Sequence, residues 1–71
     1  LEVYPNPSDG VIRIVGVENK VEYKLYNLQG QVLQNGVYTD KVIDISDLLP
    51  GSYLLVLTQS MGSSTHKILK I

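Results

Sequence analysis

Five consecutive residues decide the fold class of this chain: Val21-Glu22-Tyr23-Lys24-Leu25. Apolar and charged side chains alternate strictly along them, and a period of two is typical of a β-strand with one buried face. The alternation predicts that Val21, Tyr23 and Leu25 point into a core. After Tyr26, the four residues Asn27-Leu28-Gln29-Gly30 predict a turn, because glycine readily takes the left-handed conformation that closes such hairpins.

The same strand pattern recurs in short segments along the rest of the chain. Further strands are predicted at residues 1–4, 11–15, from 31–33 onward, 42–45, 53–58 and 65–71, and no segment keeps a helical period. Residues 53–58 are apolar on both faces, so this strand is expected to be the most central. Seven short strands predict an all-β fold, a seven-stranded antiparallel β-sandwich with an immunoglobulin-like or related Greek-key path.

Two glycine-containing pairs predict turns between strands. Asn35-Gly36 fits either a two-residue hairpin or a bulge within a longer strand, and the turn is the favoured interpretation. Pro50-Gly51 fits the two central positions of a type II turn. In the loop ahead of it, Leu48 is expected to tuck under the sheet.

Composition limits the class of protein. The chain has 71 residues, enough for one domain, 44% hydrophobic residues, no cysteine and a formal net charge of −1. The lack of cysteine excludes thiol catalysis and zinc-thiolate sites. The balanced charge argues against nucleic acid, and no apolar run approaches the roughly 20 residues that span a bilayer. Since the chain begins at Leu1 without a signal peptide, we expect a fragment of a longer protein that ends at or near Ile71.

Residues with catalytic chemistry are few. His66 is the single histidine, it is expected at the surface, and no carboxylate partner for it is recognisable. No serine lies in a G-x-S-x-G setting. The sequence therefore predicts a protein that is not an enzyme, with no cofactor and no small-molecule substrate.

Two kinds of binding site are conceivable. Asp40, Asp44 and Asp47 lie close in sequence, but Asp44 is flanked by strand residues that point it outward alone, so no metal site is expected. Exposed aromatic rings would favour carbohydrate. Tyr23 and Tyr53 are expected in the core, which leaves Tyr26 and Tyr38 as the exposed pair that an adhesive or glycan-binding module would use.

A set of landmarks in fixed order carries a family resemblance. They are Val3-Tyr4-Pro5-Asn6-Pro7 with Asp9-Gly10, then Leu25-Tyr26-Asn27-Leu28-Gln29-Gly30-Gln31-Val32, then Ile43-Asp44-Ile45-Ser46-Asp47-Leu48 with Pro50-Gly51-Ser52-Tyr53, and finally Lys67-Ile68-Leu69-Lys70. Over essentially its whole length the chain resembles the type A C-terminal sorting domain of the type IX secretion system of Bacteroidetes. Each landmark alone is weakly specific, whereas all four in this order are a strong match.

The resemblance implies a non-catalytic secretion signal on residues 1–71, a single C-terminal sorting domain of a larger secreted protein. Cargo with such a domain crosses the inner membrane by the general secretory route and folds in the periplasm. The type IX translocon then carries it across the outer membrane. A surface sortase commonly removes the domain and attaches the cargo to anionic lipopolysaccharide. Implied partners are translocon and sortase components, and the implied location is the cell surface or extracellular space.

The resemblance also implies which residues matter. The sorting signal would be Lys67, Ile68, Leu69, Lys70 and Ile71, and the family motif positions are Tyr4, Pro5, Asn6, Pro7, Asp9, Gly10, Gly30, Gly51 and Tyr53. A last strand with an apolar core side and two lysines suits docking by charge and edge pairing. The alternative is that the lysines only solubilise an edge and the glycines only serve turns. Leu54 with Val56 suggests a face for a carrier or for self-association.

Overall fold

The computed structural model describes residues 1–4, 9–17, 20–39 and 42–71. Its strands are β1 (Glu2–Tyr4), β2 (Val11–Val15), β3 (Val21–Tyr26), β4 (Val32–Tyr38), β5 (Ile43–Asp44), β6 (Gly51–Gln59) and β7 (Gly62–Lys70). They form two antiparallel sheets with the orders β1-β2-β5 and β4-β3-β6-β7. The predicted all-β class and the two-sheet sandwich are confirmed. The order is that of an immunoglobulin-like sandwich whose fourth strand has joined the β3-β6-β7 sheet.

The core lies between the sheets and follows the alternation of the strands. On β3, Val21 and Leu25 are fully buried, and Tyr23 packs on the core while half-buried. On β6, Tyr53, Leu55 and Leu57 point inward. The opposite side of the core is formed by four isoleucines, Ile12, Ile14, Ile43 and Ile45. The partly buried Val3 and Leu48 pack against the core. The predicted inward faces and the predicted position of Leu48 are confirmed.

The predicted turn at Asn35-Gly36 is wrong. Both residues lie within β4 and pair in regular register, Gly36 with Tyr23 and Asn35 with Lys24. A Cβ atom at Gly36 would lie 3.3 Å from Cε1 of the Tyr23 ring, so the glycine makes room for a cross-strand aromatic ring. The glycine is therefore needed for packing across the β3–β4 strand pair. From the sequence alone, an Asn-Gly pair instead favours a turn.

The prediction of a type II turn at Pro50-Gly51 is also wrong. Gly51 begins β6, pairs with Lys70 of β7, and has a φ of +153° instead of the value near +80° that such a turn needs. By contrast, Gly30 has a φ of +88°, which confirms the predicted left-handed position after β3.

Tyr38 was predicted to be exposed, and this prediction is wrong. Its side chain is only 6% exposed, and its hydroxyl accepts a hydrogen bond of 3.3 Å from the backbone N–H of Ile14 on the opposite sheet. The partner strand β5 pairs with β2 only at Val11 and Ile12, so the Ile14 amide lies beyond the end of that ladder. The exposed tyrosine pair proposed for a glycan-binding module is therefore not formed.

Gln34 makes a second bridge between the sheets. Its Nε2 donates a hydrogen bond of 2.9 Å to the backbone oxygen of Asp44. With the Tyr38 contact, β4 is tied to the smaller sheet at two positions, Gln34 and its last residue, by hydrogen bonds between side chain and backbone. Such bonds are directional, so they fix the relative position of the two sheets. Burial of apolar surface is not directional and fixes that position less well.

Replacing Tyr38 by phenylalanine tests the first bridge. Tyr38→Phe leaves the ring in the core and removes the acceptor of the buried Ile14 amide. We expect the free energy of unfolding to fall by about 1–3 kcal/mol, measured by urea denaturation with an unchanged m-value. The matched control is Tyr26→Phe on the outer face of β3, which should cost less. Equal effects of the two substitutions would contradict this role for Tyr38.

Candidate functional site

Strand β7 forms one edge of the larger sheet. It pairs with β6 along its whole length, from Gln59 opposite Gly62 to Gly51 opposite Lys70, without a bulge. It is the last strand in the order of the sheet, so within the described part of the chain its other edge carries no strand. In the order of the described strands, β7 is thus a long edge strand of nine residues.

The predicted signal residues at the end of β7 are divided between two faces. Lys67 and Leu69 point outward and are exposed, and Ile71, just after the strand, is 64% exposed. Ile68 is fully buried in the core, and Lys70 is only 8% exposed. The structure therefore does not bring the two lysines together into one basic patch.

Lys70 points inward yet keeps its ammonium group satisfied. Its Nζ donates a hydrogen bond of 3.0 Å to the backbone oxygen of Ile71. Lysine can do this because its long aliphatic stem packs against apolar groups while the charged head reaches polar atoms at the rim. An inward-pointing lysine also discourages indiscriminate pairing at a sheet edge.

The family motif near the start of the chain is described only in part. Tyr4 ends β1 and is exposed, whereas Pro5, Asn6 and Pro7 lie outside the described residues. Asp9 and Gly10 lead into β2, and the backbone oxygen of Gly10 accepts a hydrogen bond of 2.8 Å from the N–H of Ile45. This bond continues the contact between β2 and the chain that follows β5.

The turn between β3 and β4 is held by one asparagine side chain. Oδ1 of Asn27 accepts hydrogen bonds of 3.0 Å from the backbone N–H groups of Gln29 and Gln31, and its Nδ2 donates to the Gln31 side chain at 2.7 Å. The N–H of Gly30 donates to the Asn27 backbone oxygen at 3.1 Å. This network fixes the loop that carries Leu28, whose side chain is 61% exposed.

The remaining motif positions organise the loop ahead of β6. Tyr53 is buried, and its hydroxyl donates a hydrogen bond to the backbone oxygen of Leu49. Gly51 lies between them at the first position of β6. The Leu49 side chain is nevertheless 79% exposed. Tyr53 and Gly51 thus serve the fold, and what they hold in place is an exposed leucine that the sequence did not single out.

The topology gathers exposed apolar residues at one end of the sandwich. The turn after β3, the start of β6 and the end of β7 all lie there, because β6 runs antiparallel to both of its neighbours. We call this the apolar end and define it by Leu28, Leu49, Leu69 and Ile71, all of them exposed. Sequence reasoning missed Leu28 and Leu49 because they lie in segments recognised only as a turn and a loop. The available signal was a large apolar side chain inside an otherwise polar turn.

A hydrolytic centre is not supported at His66. The residue is half-buried on the inner face of β7, not at the surface as predicted, and its Nε2 lies 2.9 Å from Oγ of Ser64. A histidine that activates a serine needs a third group to orient it.

In the part of the chain that the structure describes, no group of three His, Asp or Glu side chains is placed to hold a metal ion.

The carboxylate of Asp44 is hydrogen-bonded by a neighbouring residue, Ser46. Its Oδ1 accepts hydrogen bonds from the backbone N–H of Ser46 at 2.9 Å and from Oγ of Ser46 at 2.6 Å. These bonds favour the charged carboxylate and lower the pKa of Asp44 below its ordinary value. The pair forms an Asx-type turn after β5. Asp40 lies outside the described residues, and Asp47 is exposed.

Comparisons with known proteins identify relatives. A family model described as "Secretion system C-terminal sorting domain" matches residues 2–71. Beta-agarase D of Zobellia galactanivorans is 36% identical over 67 residues, which cover 94% of this chain and 14% of that protein. The chain thus spans about one seventh of the length of the curated relative that it matches. No solved structure matches at a significant level. The described residues contain no helix long and apolar enough to cross a membrane.

The bonds from Ser46 predict how Asp44 titrates. Its pKa in the folded protein should lie below the ordinary value of an aspartate. A lowered carboxylate pKa adds stability that is present above the unfolded pKa and lost as the pH falls through the folded one. Ser46→Ala should move the midpoint of Asp44, followed by NMR of its carboxyl carbon, upward towards the ordinary value. Ser63→Ala is the control and should leave it unchanged. A midpoint at or above the ordinary aspartate value in the unsubstituted protein would contradict the assignment.

Proposed function

Because the chain belongs to the family of secretion system C-terminal sorting domains, we propose that the end of its last strand is the segment that the secretion machinery binds. The family is the sorting signal of type IX secretion, so the domain is a non-catalytic signal that directs export to the cell surface or the extracellular space. The family predicted from the sequence landmarks is confirmed. The identity of the bound residues, the component that binds them and the later processing of the protein belong to the proposal.

The division of the terminal segment into two faces supports the proposal. Ile68 and Lys70 point inward and hold the strand to the core, while Lys67, Leu69 and Ile71 are exposed. A partner would therefore meet one cation and two apolar side chains on a strand whose position is fixed in advance. Preorganisation of this kind lowers the entropy lost on binding.

We propose an export route for a protein that carries this domain. The protein crosses the inner membrane by the general secretory route and folds in the periplasm. The translocon recognises the domain and carries the protein across the outer membrane. A sortase then cleaves ahead of the domain and attaches the mature protein to anionic lipopolysaccharide, or the protein is released. Along this route the domain is a substrate of the sortase.

The comparison with a longer relative supports a modular arrangement. The matching segment makes up 14% of Beta-agarase D, so the same kind of domain occurs within a much larger polypeptide. We propose that residues 1–71 are likewise a single C-terminal domain and that the exported cargo precedes it. The chemistry of the exported protein would then reside in the cargo, and the domain would serve unrelated cargoes equally well.

A transport assay tests the proposal. Residues 1–71 are fused behind a signal peptide and a folded reporter in a host with type IX machinery, and the reporter is quantified outside the cell and in the periplasm. The intact fusion should be exported, and deletion of residues 67–71 should retain it in the periplasm. Lys67→Ala with Leu69→Ala should lower export roughly tenfold, as loss of about 1.4 kcal/mol of binding would. Lys70→Ala should act mainly through a lower free energy of unfolding, because this side chain is buried.

The matched control lies on the same face of the same strand. Ser63→Ala with Thr65→Ala changes two outward residues towards the other end of β7 and should leave export unchanged. Retention of a folded, intact fusion in the periplasm would refute the sorting function for this chain. Equal loss of export in the control and in the Lys67 and Leu69 variant would refute the location of the signal.

A further inference from the structure

We propose that the apolar end is a second contact surface for the machinery, where Leu28 and Leu49 insert into an apolar pocket of a secretion-system protein beside the bound terminal strand. This inference rests on the proposed function and extends it from the last five residues to two loops. Neither loop is adjacent to those residues in sequence. The partner is defined by its chemistry, a folded protein with an apolar pocket at the place where it holds Leu69 and Ile71.

The exposure of these side chains is the first observation. Leu28 is 61% exposed, Leu49 is 79% exposed and Ile71 is 64% exposed. Single exposed apolar residues are normal on a protein surface, whereas a group of them is a sign of an interaction site. Turns and loops usually carry polar residues at such positions. Two leucines in two separate loops at the same end therefore require an explanation that turn chemistry does not provide.

The pairing of the strands places these residues together. Tyr26, the last residue of β3, is opposite Leu54 of β6, and Gly51, the first residue of β6, is opposite Lys70. The loops that carry Leu28 and Leu49 thus leave the larger sheet at the end where β7 finishes. Neighbouring strands are about 4.8 Å apart, so the four strand ends lie within roughly 15 Å across the sheet. One partner protein can cover that width.

The backbones of the two loops that carry the leucines are held by hydrogen bonds. The side chain of Asn27 binds two backbone N–H groups of the loop that carries Leu28. The hydroxyl of buried Tyr53 binds the backbone oxygen of Leu49. Side chains displayed on fixed backbones lose less entropy on binding than those on mobile loops, which suits anchors that fill a pocket.

The other end of the molecule indicates which occupant fits. Leu1 lines a shallow groove with Met61 and Ser64, at the hairpin between β6 and β7 and so at the end opposite the apolar end. The longest extent of the Cα atoms is 31 Å. A cargo joined ahead of Leu1 would emerge far from Leu28 and Leu49 and leave them accessible. The apolar end is thus the part of the domain that a carrier can reach while cargo of any size is attached.

Charge argues against a lipid surface as the occupant. Asp47 in the loop that carries Leu49 and Lys67 next to Leu69 on its strand face are both exposed, so the segments of the apolar end carry charges of both signs. Binding to anionic lipid depends on a cluster of basic residues, and mixed charges do not provide one. A rim of both signs around exposed apolar residues is instead the usual composition of a protein interface.

The test uses the same reporter fusion with Leu28→Ser and Leu49→Ser together. The control is Met61→Ser, which removes a 95% exposed apolar side chain from the turn at the opposite end. We expect the double variant to be exported about tenfold less than the intact fusion and the control to be exported normally, with equal urea midpoints for all three. Leu28→Ser alone, in the loop fixed by Asn27, should show a smaller loss in the same direction.

Three outcomes would overturn the inference. Normal export of the double variant, with deletion of residues 67–71 still blocking export, would refute it and leave the proposed function standing. Failure of the intact fusion to be exported would refute the proposed function and the inference together. In the third outcome, the double variant loses export and the intact domain forms a dimer that the double variant does not form, which would assign these leucines to a second copy. Binding of the intact domain, but not of the double variant, to phosphatidylcholine vesicles would likewise assign them to lipid instead of a machinery pocket.

Discussion

The uninterrupted register between β6 and β7 is the constraint on which the rest of the molecule depends. Nine residues of each strand pair one to one, and a slip of a single residue would exchange the buried and exposed faces of β7. Burial of Leu55 and Leu57 on β6 and of Ile68 on β7 makes any such slip costly, since each fully buried side chain of this size contributes about 1.5–3 kcal/mol. The register therefore decides that Lys67 and Leu69 face outward and that Lys70 faces inward.

This division separates residues that maintain the fold from residues that a partner can touch. Gly36, Tyr38 and Tyr53 act inside the sandwich. The glycine accommodates a ring, Tyr38 accepts a hydrogen bond from the opposite sheet, and Tyr53 donates one to the loop ahead of β6. Leu28 and Leu49 are exposed on loops fixed by this framework. A sorting signal needs such separation, because its surface must be recognised while the sequence of its cargo varies. A small sandwich without cysteine supplies it through hydrogen bonds between sheets and loops.

The alternation along β3 was sufficient to predict strands, inward faces and the two-sheet class, because a period of two is a local property of the backbone. The Asn27–Gly30 turn was predictable for the same reason. Predictions failed at residues whose positions are determined by contacts with residues distant in sequence. Gly36 leaves room for the ring of Tyr23 across the strand pair, and Tyr38 packs in the core, where its hydroxyl accepts a hydrogen bond from an amide on the other sheet. The site was foreseen only as a terminal segment, since the grouping of Leu28 and Leu49 with Ile71 arises from strand order, which periodicity does not encode.

Site-specific crosslinking in living cells tests most directly whether the secretion machinery contacts this end of the domain. A photoreactive amino acid is placed at Leu69 or at Ser63, two outward positions near opposite ends of the same strand. Both fusions are irradiated during export, and the captured proteins are identified by mass spectrometry. The account predicts that the probe at position 69 captures a type IX secretion component and that the probe at position 63 does not. Equal capture from both positions, or capture from position 63 alone, would contradict it.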